Sequence, residues 1–441
     1  MEPLTVGFIL IGVMVVLIAL GMHIGIVLFG LGAAGIWLIR DNPMLALNMT
    51  AISTYSGIQD YLFATIPLFV LMGLLVSISD VGKDTFDVAQ TLLRRVRGGL
   101  GMATVAANAV FAAVTGVSIA SAAVFTKVAV PEMLRHGYSL RFATGTVAGS
   151  SILGMLIPPS LLMIIYGVLA EVSIGKMFLA GILPGLIIAL GFVVLIFVYA
   201  TVFPHKVMAD PARDRAAAAT DPVMSAGEMA KKSVPIMALV ALILVGLYTG
   251  FFTPTEAGGV GAFGALLIAL VRRRLNGSRL WRLLSETGYV SVAILFLLIG
   301  ASFYSRMLSL AGLPQAVGDL VAGNGLGPYG FLLVYVVIIL LMGMLLDSSS
   351  ILLIMVPIAA LIAQNFGFDL IHFGIITIIA VEAGLLTPPF GISVFTVKAT
   401  LDDPAAKIED IFAGALPYVL MMLAVLGLIA AFPILATAFT R

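Results

Sequence analysis

The chain has 441 residues, of which 61% are hydrophobic and only 10% are charged, and its mean hydropathy is +1.18. Soluble domains carry about 25% charged residues, so this composition predicts a polytopic membrane protein in a lipid bilayer. The net charge of +1 provides no basic field for nucleic acid. The absence of cysteine excludes disulfides, thiolate metal sites and a cysteine nucleophile.

Ten apolar segments approach the length of about 20 residues that a helix needs to cross a bilayer. We predict crossings at 4–21, 24–39, 61–79, 142–168, 177–203, 234–252, 256–271, 289–310, 371–398 and 412–438. The segments 44–58 and 275–287 each precede the third crossing of one half of the chain. We interpret them as amphipathic helices in the membrane interface or as ordinary connecting loops. The predicted fold is an all-α polytopic membrane protein.

Two further apolar stretches, 99–135 and 328–365, are each interrupted by a polar cluster. The first cluster begins at Thr115, and the second begins at Asp347. We predict that each stretch is a re-entrant helical hairpin whose polar tip lies near the middle of the membrane. The alternative is a pair of full spans, because each half of a stretch is 15 to 20 residues long.

Two of the crossings contain a Pro-Pro pair, at Pro158-Pro159 in 142–168 and at Pro388-Pro389 in 371–398. Proline removes a backbone donor and clashes with the preceding turn, at a cost of roughly 3 kcal/mol inside a helix. In a membrane, irregular backbone survives only where protein covers it or where it lines a polar cavity. Both crossings are therefore predicted to be broken helices.

A set of landmarks recurs in the same order in both halves of the chain, at offsets of 226 to 233 residues. They are the two Pro-Pro pairs, Gly99-Leu-Gly101 with Gly325-Leu-Gly327, Gly137-Tyr138 with Gly367-Phe368, and Ala180-Gly-Ile-Leu-Pro184 with Ala413-Gly-Ala-Leu-Pro417. We predict an internal duplication, with a first repeat at 1–203, a linker at 204–233 and a second repeat at 234–441. Five crossings per repeat is an odd number, so the second repeat is predicted to be inverted, as in many secondary transporters.

The basic residues predict the orientation in the membrane. If the 80–98 loop is cytoplasmic, 18 of the 23 Lys and Arg residues fall in cytoplasmic regions and four fall outside or near it. The remaining one, Lys127, lies in the first hairpin, where it attracts an anionic substrate, snorkels to the membrane surface or is paired internally. Short cytoplasmic loops are rich in Lys and Arg. This count predicts a cytoplasmic linker and both termini outside the cell.

A hairpin tip that meets a broken helix presents carbonyls and hydroxyls to a cation and helix N-termini to an anion. In the first repeat the candidate site residues are Thr115, Gly116, Ser118, Ser121, Ser150, Ser151, Gly154, Pro158 and Pro159. In the second repeat they are Asp347, Ser348, Ser349, Ser350, Glu382, Gly384, Thr387, Pro388, Pro389 and Gly391. The alternative is that these small and polar residues only allow helices to pack closely.

Two acidic candidates lie in predicted membrane segments, where ionisable side chains are costly and usually functional. Asp347 is predicted either to bind a cation or to cap the second helix of its hairpin, and Glu382 to orient the break. The four histidines are not arranged at a metal-binding spacing, and the sequence has no zinc-protease, intramembrane-protease or Walker motif. We therefore predict that the chain is not an enzyme and does not itself use ATP.

Eight motifs are distributed along the chain. They are Ala64-Thr-Ile-Pro-Leu-Phe-Val-Leu-Met-Gly73, Val117-Ser-Ile-Ala-Ser-Ala-Ala-Val-Phe125, Val130-Pro-Glu-Met-Leu-Arg-His-Gly-Tyr138, Ala143-Thr-Gly-Thr146, Leu156-Ile-Pro-Pro-Ser160, Thr253-Pro-Thr-Glu-Ala257, Leu346-Asp347 and Glu382-Ala-Gly-Leu-Leu-Thr-Pro-Pro389. Together they resemble the large membrane subunit of tripartite ATP-independent periplasmic (TRAP) transporters over nearly the whole chain. The sequence departs from many members of that family at Gly116-Val-Ser118, where they have Gly-Ser-Ser.

The resemblance implies a sodium-coupled secondary importer of the bacterial inner membrane with an elevator-type mobile domain. Sodium would be the coupling ion, with no cofactor, and the tip and break residues named above would form its sites. The implied partners are a small membrane subunit (Q) and a periplasmic substrate-binding protein (P), which delivers an organic anion such as a carboxylate or sialic acid. Both termini would then be periplasmic. A stand-alone carboxylate symporter and a channel are the transport alternatives.

Overall fold

The computed structural model describes residues 2–210, 213, 224–323, 327–401, 403 and 406–440. Within these ranges the chain is helical, apart from turns and one isolated bridge between Tyr138 and Met208. The predicted all-α class is therefore confirmed. Outside the described residues lie the middle of the predicted linker (211–212 and 214–223), with Arg215, and also Arg441 and the Gly325-Leu326 part of one repeated landmark.

Twelve α-helices are described between residues 3 and 207, and the last of them lies at the start of the predicted linker. They are α1 (Pro3–Ala19), α2 (Ile24–Arg40), α3 (Pro43–Gln59), α4 (Thr65–Ser77), α5 (Val81–Leu93), α6 (Gly99–Thr115), α7 (Ser118–Arg135), α8 (Leu140–Ser151), α9 (Leu153–Leu156), α10 (Leu161–Leu169), α11 (Ile174–Val202) and α12 (Pro204–Val207). Side-chain caps begin several of them. The Ser160 hydroxyl accepts the Met163 amide at the start of α10, and the Ser173 hydroxyl accepts the Lys176 amide at the start of α11.

Ten further helices lie in the described residues from 226 onward, and the first of them begins within the predicted linker. They are α13 (Ala226–Tyr248), α14 (Pro254–Val271), α15 (Gly277–Leu310), α16 (Leu313–Gly323), α17 (Pro328–Gly343), α18 (Ser348–Asn365), α19 (Leu370–Gly384), α20 (Ile392–Leu401), α21 (Ile408–Ala431) and α22 (Ile434–Thr437). Capping boxes at Ser225 with Glu228 and at Thr253 with Glu256 begin α13 and α14. The first box explains why α13 begins before the predicted crossing at 234–252.

In the part of the chain that the structure describes, six helices are long and apolar enough to cross a bilayer, and two bent helix pairs raise that number to eight. Seven of these eight coincide with predicted crossings. The eighth is α18, whose 18 residues agree with the alternative in which the second polar stretch makes full spans. The helices α1 and α2 have 17 residues each and are slightly shorter than these spans. The two helices of the predicted crossing at 371–398, α19 and α20, are shorter still, with 15 and 10 residues.

The two polar stretches form antiparallel helix pairs. We call α6 and α7 the first hairpin, in which the rings of Phe111 and Phe125 lie 5.6 Å apart and the Thr104 Oγ1 lies 3.7 Å from the Met133 Sδ. We call α17 and α18 the second hairpin, and there the rings of Phe331 and Phe366 stack at 5.4 Å. The tips are short turns at Gly116–Val117 in the first hairpin and at 344–347 in the second.

Both Pro-Pro segments interrupt a helix. The first broken helix consists of α8 and α9, then an irregular segment at 157–160, then α10, and its two parts are bent by 44°. The second broken helix consists of α19, an irregular segment at 385–391 and α20. The prolines act as expected from their missing amide donors, because regular helix resumes only after each pair.

Two parts of the chain differ from the sequence prediction. The 80–98 region contains a helix, α5, whose apolar side chains Val81 and Phe86 are buried, and α16 occupies the same place in the second half. The segment 275–287 is not a separate interfacial helix, because α15 runs without interruption from Gly277 to Leu310. In the first half the Asp60 side chain accepts the Leu62 amide, which ends α3 and bends the chain by 54°.

The helices pack in two sets. The frame set comprises α1–α4 and α13–α15, and the hairpin set comprises α6–α11 and α17–α21, while α5 contacts both. Small residues allow close contact in the frame set, where Gly261 of α14 lies against Met72 of α4 and the Thr65 and Thr255 hydroxyls are 2.7 Å apart. Within the hairpin set, the Thr146 and Tyr418 hydroxyls join α8 to α21 at 2.7 Å.

The helices α8 and α21 pack directly against each other at Gly145 and Gly414, so a single added methyl group should destabilise the protein. A Cβ at Gly145 would lie 2.2 Å from the backbone carbon of Gly414, so Gly145→Ala must separate α8 from α21. Overpacking typically costs about 1–3 kcal/mol, and we expect the apparent Tm of the purified protein to fall by several degrees. The matched control is Gly288→Ala in α15, where no atom lies within 4 Å of the added Cβ. An equal loss in both variants would contradict this account.

Candidate functional site

The two hairpin tips meet at one buried carboxylate. The Ser118 hydroxyl donates to Glu382 Oε2 at 3.0 Å, and the Ser348 hydroxyl donates to Glu382 Oε1 at 3.0 Å. Glu382 lies in α19 and is 0% exposed. Each serine is the first residue of the second helix of its hairpin. A single acidic side chain from the second broken helix therefore connects both hairpins.

Each tip also contacts the broken helix of its own half through the backbone. The Leu161 amide donates to the Gly116 carbonyl at 3.4 Å, and the Phe390 amide donates to the Met344 carbonyl at 3.3 Å. The first bond links a tip to the residue that follows the irregular segment, and the second links a tip to a residue near the end of the irregular segment, so the broken backbone lies beside both tips. Gly116 has a φ of +61°, which suits glycine because it carries no Cβ.

Glycines allow these close approaches. A Cβ at Gly154 would lie 3.0 Å from the Ser118 amide nitrogen, and a Cβ at Gly384 would lie 2.8 Å from the Gly343 Cα. A side chain at either position would push the tip away from the broken helix. The third predicted glycine, Gly391, packs against the ring of Phe412, which would lie 2.5 Å from an added Cβ.

A second polar layer lies one to two turns from the tips. The Asn108 amide nitrogen donates to the Ser150 Oγ at 2.7 Å, and the Tyr335 and Thr377 hydroxyls lie 3.1 Å apart. Each pair connects the first helix of a hairpin to the first part of the broken helix of the same half. Asn108 was not among the predicted site residues, although an amide side chain within an apolar hairpin arm is a recognisable signal, and it is fully buried.

Four of the nine predicted hydroxyls donate to a backbone carbonyl three or four residues earlier in the chain. They are Thr115 to Phe111 at 3.0 Å, Ser150 to Thr146 at 2.7 Å, Ser151 to Ala148 at 2.8 Å and Thr387 to Ala383 at 2.9 Å. A hydroxyl has one donor and two acceptor positions, so lone pairs remain for a cation. The Asn108 Oδ1 and the hydroxyls of Ser121 and Ser393 are buried without a hydrogen-bond partner among the described residues. Ser393, at the start of α20, was not predicted.

Asp347 adopts one of its two predicted roles. Its carboxylate accepts the Ser350 amide at 3.1 Å and the Ser350 hydroxyl, and so it caps α18. The carboxylate lies at an exposed position, whereas Ser348 and Ser350 are buried and Ser349 is half-buried. Cation binding by Asp347 remains a prediction.

The two tips differ in how they are covered. Thr115, Pro158 and Pro159 are buried, and the first tip packs on α4, where the Thr115 carbonyl oxygen lies close to Gly73. At the second tip Pro388 and Pro389 are exposed, Leu345 is 62% exposed and Phe390 is 56% exposed. One tip is therefore closed against the frame set, while the other is open at its surface.

An ion-pair cluster joins three basic regions that the sequence places on one side of the membrane. Asp84 of α5 binds Arg272 at the end of α14 and lies 3.3 Å from the Lys232 Nζ of α13, which also pairs with Asp87. Asp80 pairs with Arg274 in a more exposed position. These pairs hold α5 against the frame set.

We expect Asp84→Asn to destabilise the protein by about 1–3 kcal/mol, because Arg272 is left partly buried without its carboxylate. Only 14% of the Asp84 side chain is exposed, compared with 46% for Asp80. The control Asp80→Asn should change stability by less than about 1 kcal/mol, as is usual for a surface pair. Thermal unfolding of both purified variants measures the difference in stability. Equal losses of stability would show that burial of the ion pair does not determine its contribution.

A family model of the DctM component of the tripartite ATP-independent periplasmic transporter matches residues 11–435. The chain belongs to this family. It is therefore a multi-pass membrane permease subunit and not an enzyme, and the predicted resemblance is confirmed.

Three relatives illustrate the match. The C4-dicarboxylate TRAP transporter large permease protein DctM of Pseudomonas aeruginosa is 33% identical over 411 residues and 92% of each chain. The sialic acid TRAP transporter large permease protein SiaM of Vibrio cholerae is 29% identical, over 94% of this chain and 93% of that one. The 2,3-diketo-L-gulonate TRAP transporter large permease protein YiaN of Escherichia coli is 30% identical, over 94% and 96%.

Two solved structures share the fold. The antimetabolite efflux pump MtrF of Neisseria gonorrhoeae superimposes with a TM-score of 0.61 at 14% identity, over 98% of this chain and 95% of that one. The YdaH transporter of Alcanivorax borkumensis superimposes with a TM-score of 0.63 at 15% identity, over 88% of each chain.

Proposed function

We propose that this permease subunit imports a small organic anion, driven by sodium, by moving the hairpin set past the frame set. Three of the relatives are named for C4-dicarboxylates, sialic acid and 2,3-diketo-L-gulonate, which are carboxylate anions, and a fourth is named for the sulfonate isethionate. The observation that carries the proposal is the convergence of both hairpin tips on Glu382. The proposed location is the bacterial inner membrane with both termini in the periplasm.

Equivalent contacts in the two halves support the proposed inverted repeat. Adding 227 to Asn108 and Ser150 gives Tyr335 and Thr377, which make the corresponding hydrogen bond. The same correspondence relates Ser118 to Ser348 at 230 residues. It also relates the backbone hydrogen bond from Leu161 to Gly116 to the one from Phe390 to Met344, at offsets of 229 residues for the donors and 228 for the acceptors. Corresponding breaks in two inverted halves are typical of transporter binding sites.

Sodium fits the chemistry of the tips. Hard cations prefer oxygen ligands, and the tips bring together hydroxyls, carbonyls of broken helices and one carboxylate. A carboxylate in the membrane interior is costly and is usually paired. We infer that sodium supplies this pairing during transport, at sites formed by the tip and break residues of each repeat. Because Ser118 and Ser348 share one carboxylate, occupation of one site changes the partner available to the other.

The asymmetry of the tips supports alternating access. The first tip is closed on α4 of the frame set, and the second tip is open. In the proposed cycle the hairpin set shifts so that the second tip becomes covered and the first is released. The helix α5 packs on α6 and α7 of the first hairpin and is joined to the frame set by the Asp84 ion pairs, so it lies at the boundary across which the proposed movement occurs.

We also propose the two partners that give the family its tripartite name, a small membrane subunit (Q) and a periplasmic substrate-binding protein (P). The permease protein DctMQ of Oleidesulfovibrio alaskensis aligns with 96% of this chain, which accounts for only 64% of that longer protein. The additional length in a protein named DctMQ supports a small membrane subunit as a partner of the permease.

Uptake into proteoliposomes tests this function. The chain is reconstituted with its small membrane partner and supplied with radiolabelled succinate or sialic acid, with and without the binding protein, under an inward sodium gradient. We expect uptake to require both sodium and the binding protein. Uptake that needs sodium alone would indicate a stand-alone symporter, and single-channel currents would indicate a channel.

A further inference from the structure

A cavity of about 980 Å³ opens at the base of the first hairpin. Its walls come from α5 and the turn after it, from the ends of α6 and α7 that lie away from the tip, and from the start of α13. Glu382 and the tip residues are not among its described lining residues. The cavity is therefore distinct from the proposed transport site.

The lining of this cavity is strongly cationic. Seven basic residues line it, Lys83, Arg94, Arg95, Arg97, Lys127, Arg135 and Lys232, with two acidic ones, Asp87 and Glu132. Asp87 pairs with Lys232, and Glu132 pairs with Arg135. None of the other five basic side chains forms an ion pair with a described residue. Five uncompensated cations around one cavity create a field that attracts an anion.

The arrangement of these cations favours phosphate over a simple carboxylate. Three arginines lie within four residues of one turn, and the planar guanidinium forms paired hydrogen bonds with phosphate oxygens. Lys127 approaches from the hairpin, on the other wall of the cavity. A phosphate between these walls would contact α7 and the turn after α5 together.

The neighbouring apolar side chains favour a lipid as the source of the phosphate. Leu92 is 66% exposed near the end of α5, and Val96, which is 38% exposed, stands between Arg95 and Arg97 in the turn that follows. A basic cluster with exposed apolar residues at the cytoplasmic border of a membrane segment is typical of anionic-lipid binding. The charge distribution predicts that this face of the chain is cytoplasmic.

We propose that the cavity between α5 and the base of the first hairpin binds the phosphate of an anionic phospholipid. Arg94, Arg95 and Arg97 hold the phosphate from one side and Lys127 from the other, while Leu92 and Val96 contact the acyl chains. The lipid thereby links the base of the first hairpin to α5. The inference goes beyond the proposed transport function and does not depend on it.

Native mass spectrometry of the purified chain tests the site. The protein is titrated with phosphatidylglycerol, with phosphatidylcholine as the neutral lipid and with glycerol 3-phosphate as the headgroup chemistry without acyl chains. We expect the variant Arg94→Gln, Arg95→Gln, Arg97→Gln to bind phosphatidylglycerol at least tenfold more weakly, because each basic residue contributes to anionic-lipid affinity. Lys127→Gln, on the opposite wall, should weaken binding by roughly threefold or more.

The matched control removes three exposed basic residues of the same predicted face that do not line the cavity. It is Lys231→Gln, Arg273→Gln, Arg282→Gln, and we expect near wild-type binding. Competition by glycerol 3-phosphate at concentrations close to those of the lipid would overturn the lipid as the source. Equal weakening in the cavity and control variants, or wild-type binding in both cavity variants, would overturn the site. Thermal unfolding establishes that each variant is folded.

Discussion

Glu382→Gln is expected to reduce the initial rate of sodium-driven uptake at least a hundredfold while leaving the protein folded. Glutamine has nearly the same shape, and its carbonyl oxygen still accepts one of the two serine hydroxyls. The substitution removes the negative charge between the tips, where a cation would be held in surroundings of low polarity. A hundredfold loss corresponds to about 2.7 kcal/mol, which is modest for an interaction between full charges away from water. Uptake in proteoliposomes and the apparent Tm are measured together.

The control for this variant is Glu286→Gln, which removes the same charge from an exposed position on α15. It should transport at close to the wild-type rate. Sodium-driven uptake by Glu382→Gln within threefold of wild type would exclude the carboxylate from the coupling. A collapse of the Tm would instead assign Glu382 a structural role, and Glu382→Asp then tests whether charge alone restores uptake.

The second large effect is expected in a double-mutant cycle of Ser118→Ala and Ser348→Ala. Each single variant leaves one oxygen of Glu382 without its hydroxyl donor, and we expect the sodium concentration for half-maximal uptake to rise about tenfold or more. Because both serines bind the same carboxylate, their effects should not add. Directly connected residues show interaction energies of about 0.5–3 kcal/mol.

The cycle has an internal comparison. Ser118→Ala combined with Ser309→Ala pairs the first tip with an exposed serine whose hydroxyl bonds to its own helix at Ser305. Those two effects should add within about 0.5 kcal/mol. Additivity of Ser118→Ala with Ser348→Ala to the same precision would show that the tips act independently, and the proposed exchange of ligands at Glu382 would then be wrong.

The sequence contained enough information to locate the breaks, because proline acts locally. Pro158 and Pro388 each remove an amide donor from the helix that contains them, so the position of the interruption does not depend on tertiary contacts. The tips could be located for a similar reason, since polar residues such as Ser118 interrupt an apolar segment. Their pairing with Glu382 could not be predicted, because 264 residues separate Ser118 from that carboxylate.

Other features depended on packing or on weak local signals. The helix α5 is short and carries several charges, so its buried side of Val81, Phe86 and Ala89 was not distinguishable from a polar loop. The continuity of α15 reflects the absence of a capping residue such as Asp60, which ends the corresponding helix in the first half. The capping role of Asp347 was one of two predicted alternatives. The exposure of the Asp347 side chain depends on the tertiary arrangement of the second tip, which the sequence does not show.

The most direct test of the account is equilibrium binding of radioactive sodium to the purified chain, before any substrate or partner is added. The account predicts saturable sodium binding by wild type, severe weakening in Glu382→Gln, and wild-type binding in Glu286→Gln. Binding of sodium by Glu382→Gln with wild-type affinity would contradict the claim that the carboxylate joining the two hairpin tips forms part of the sodium-coupling site.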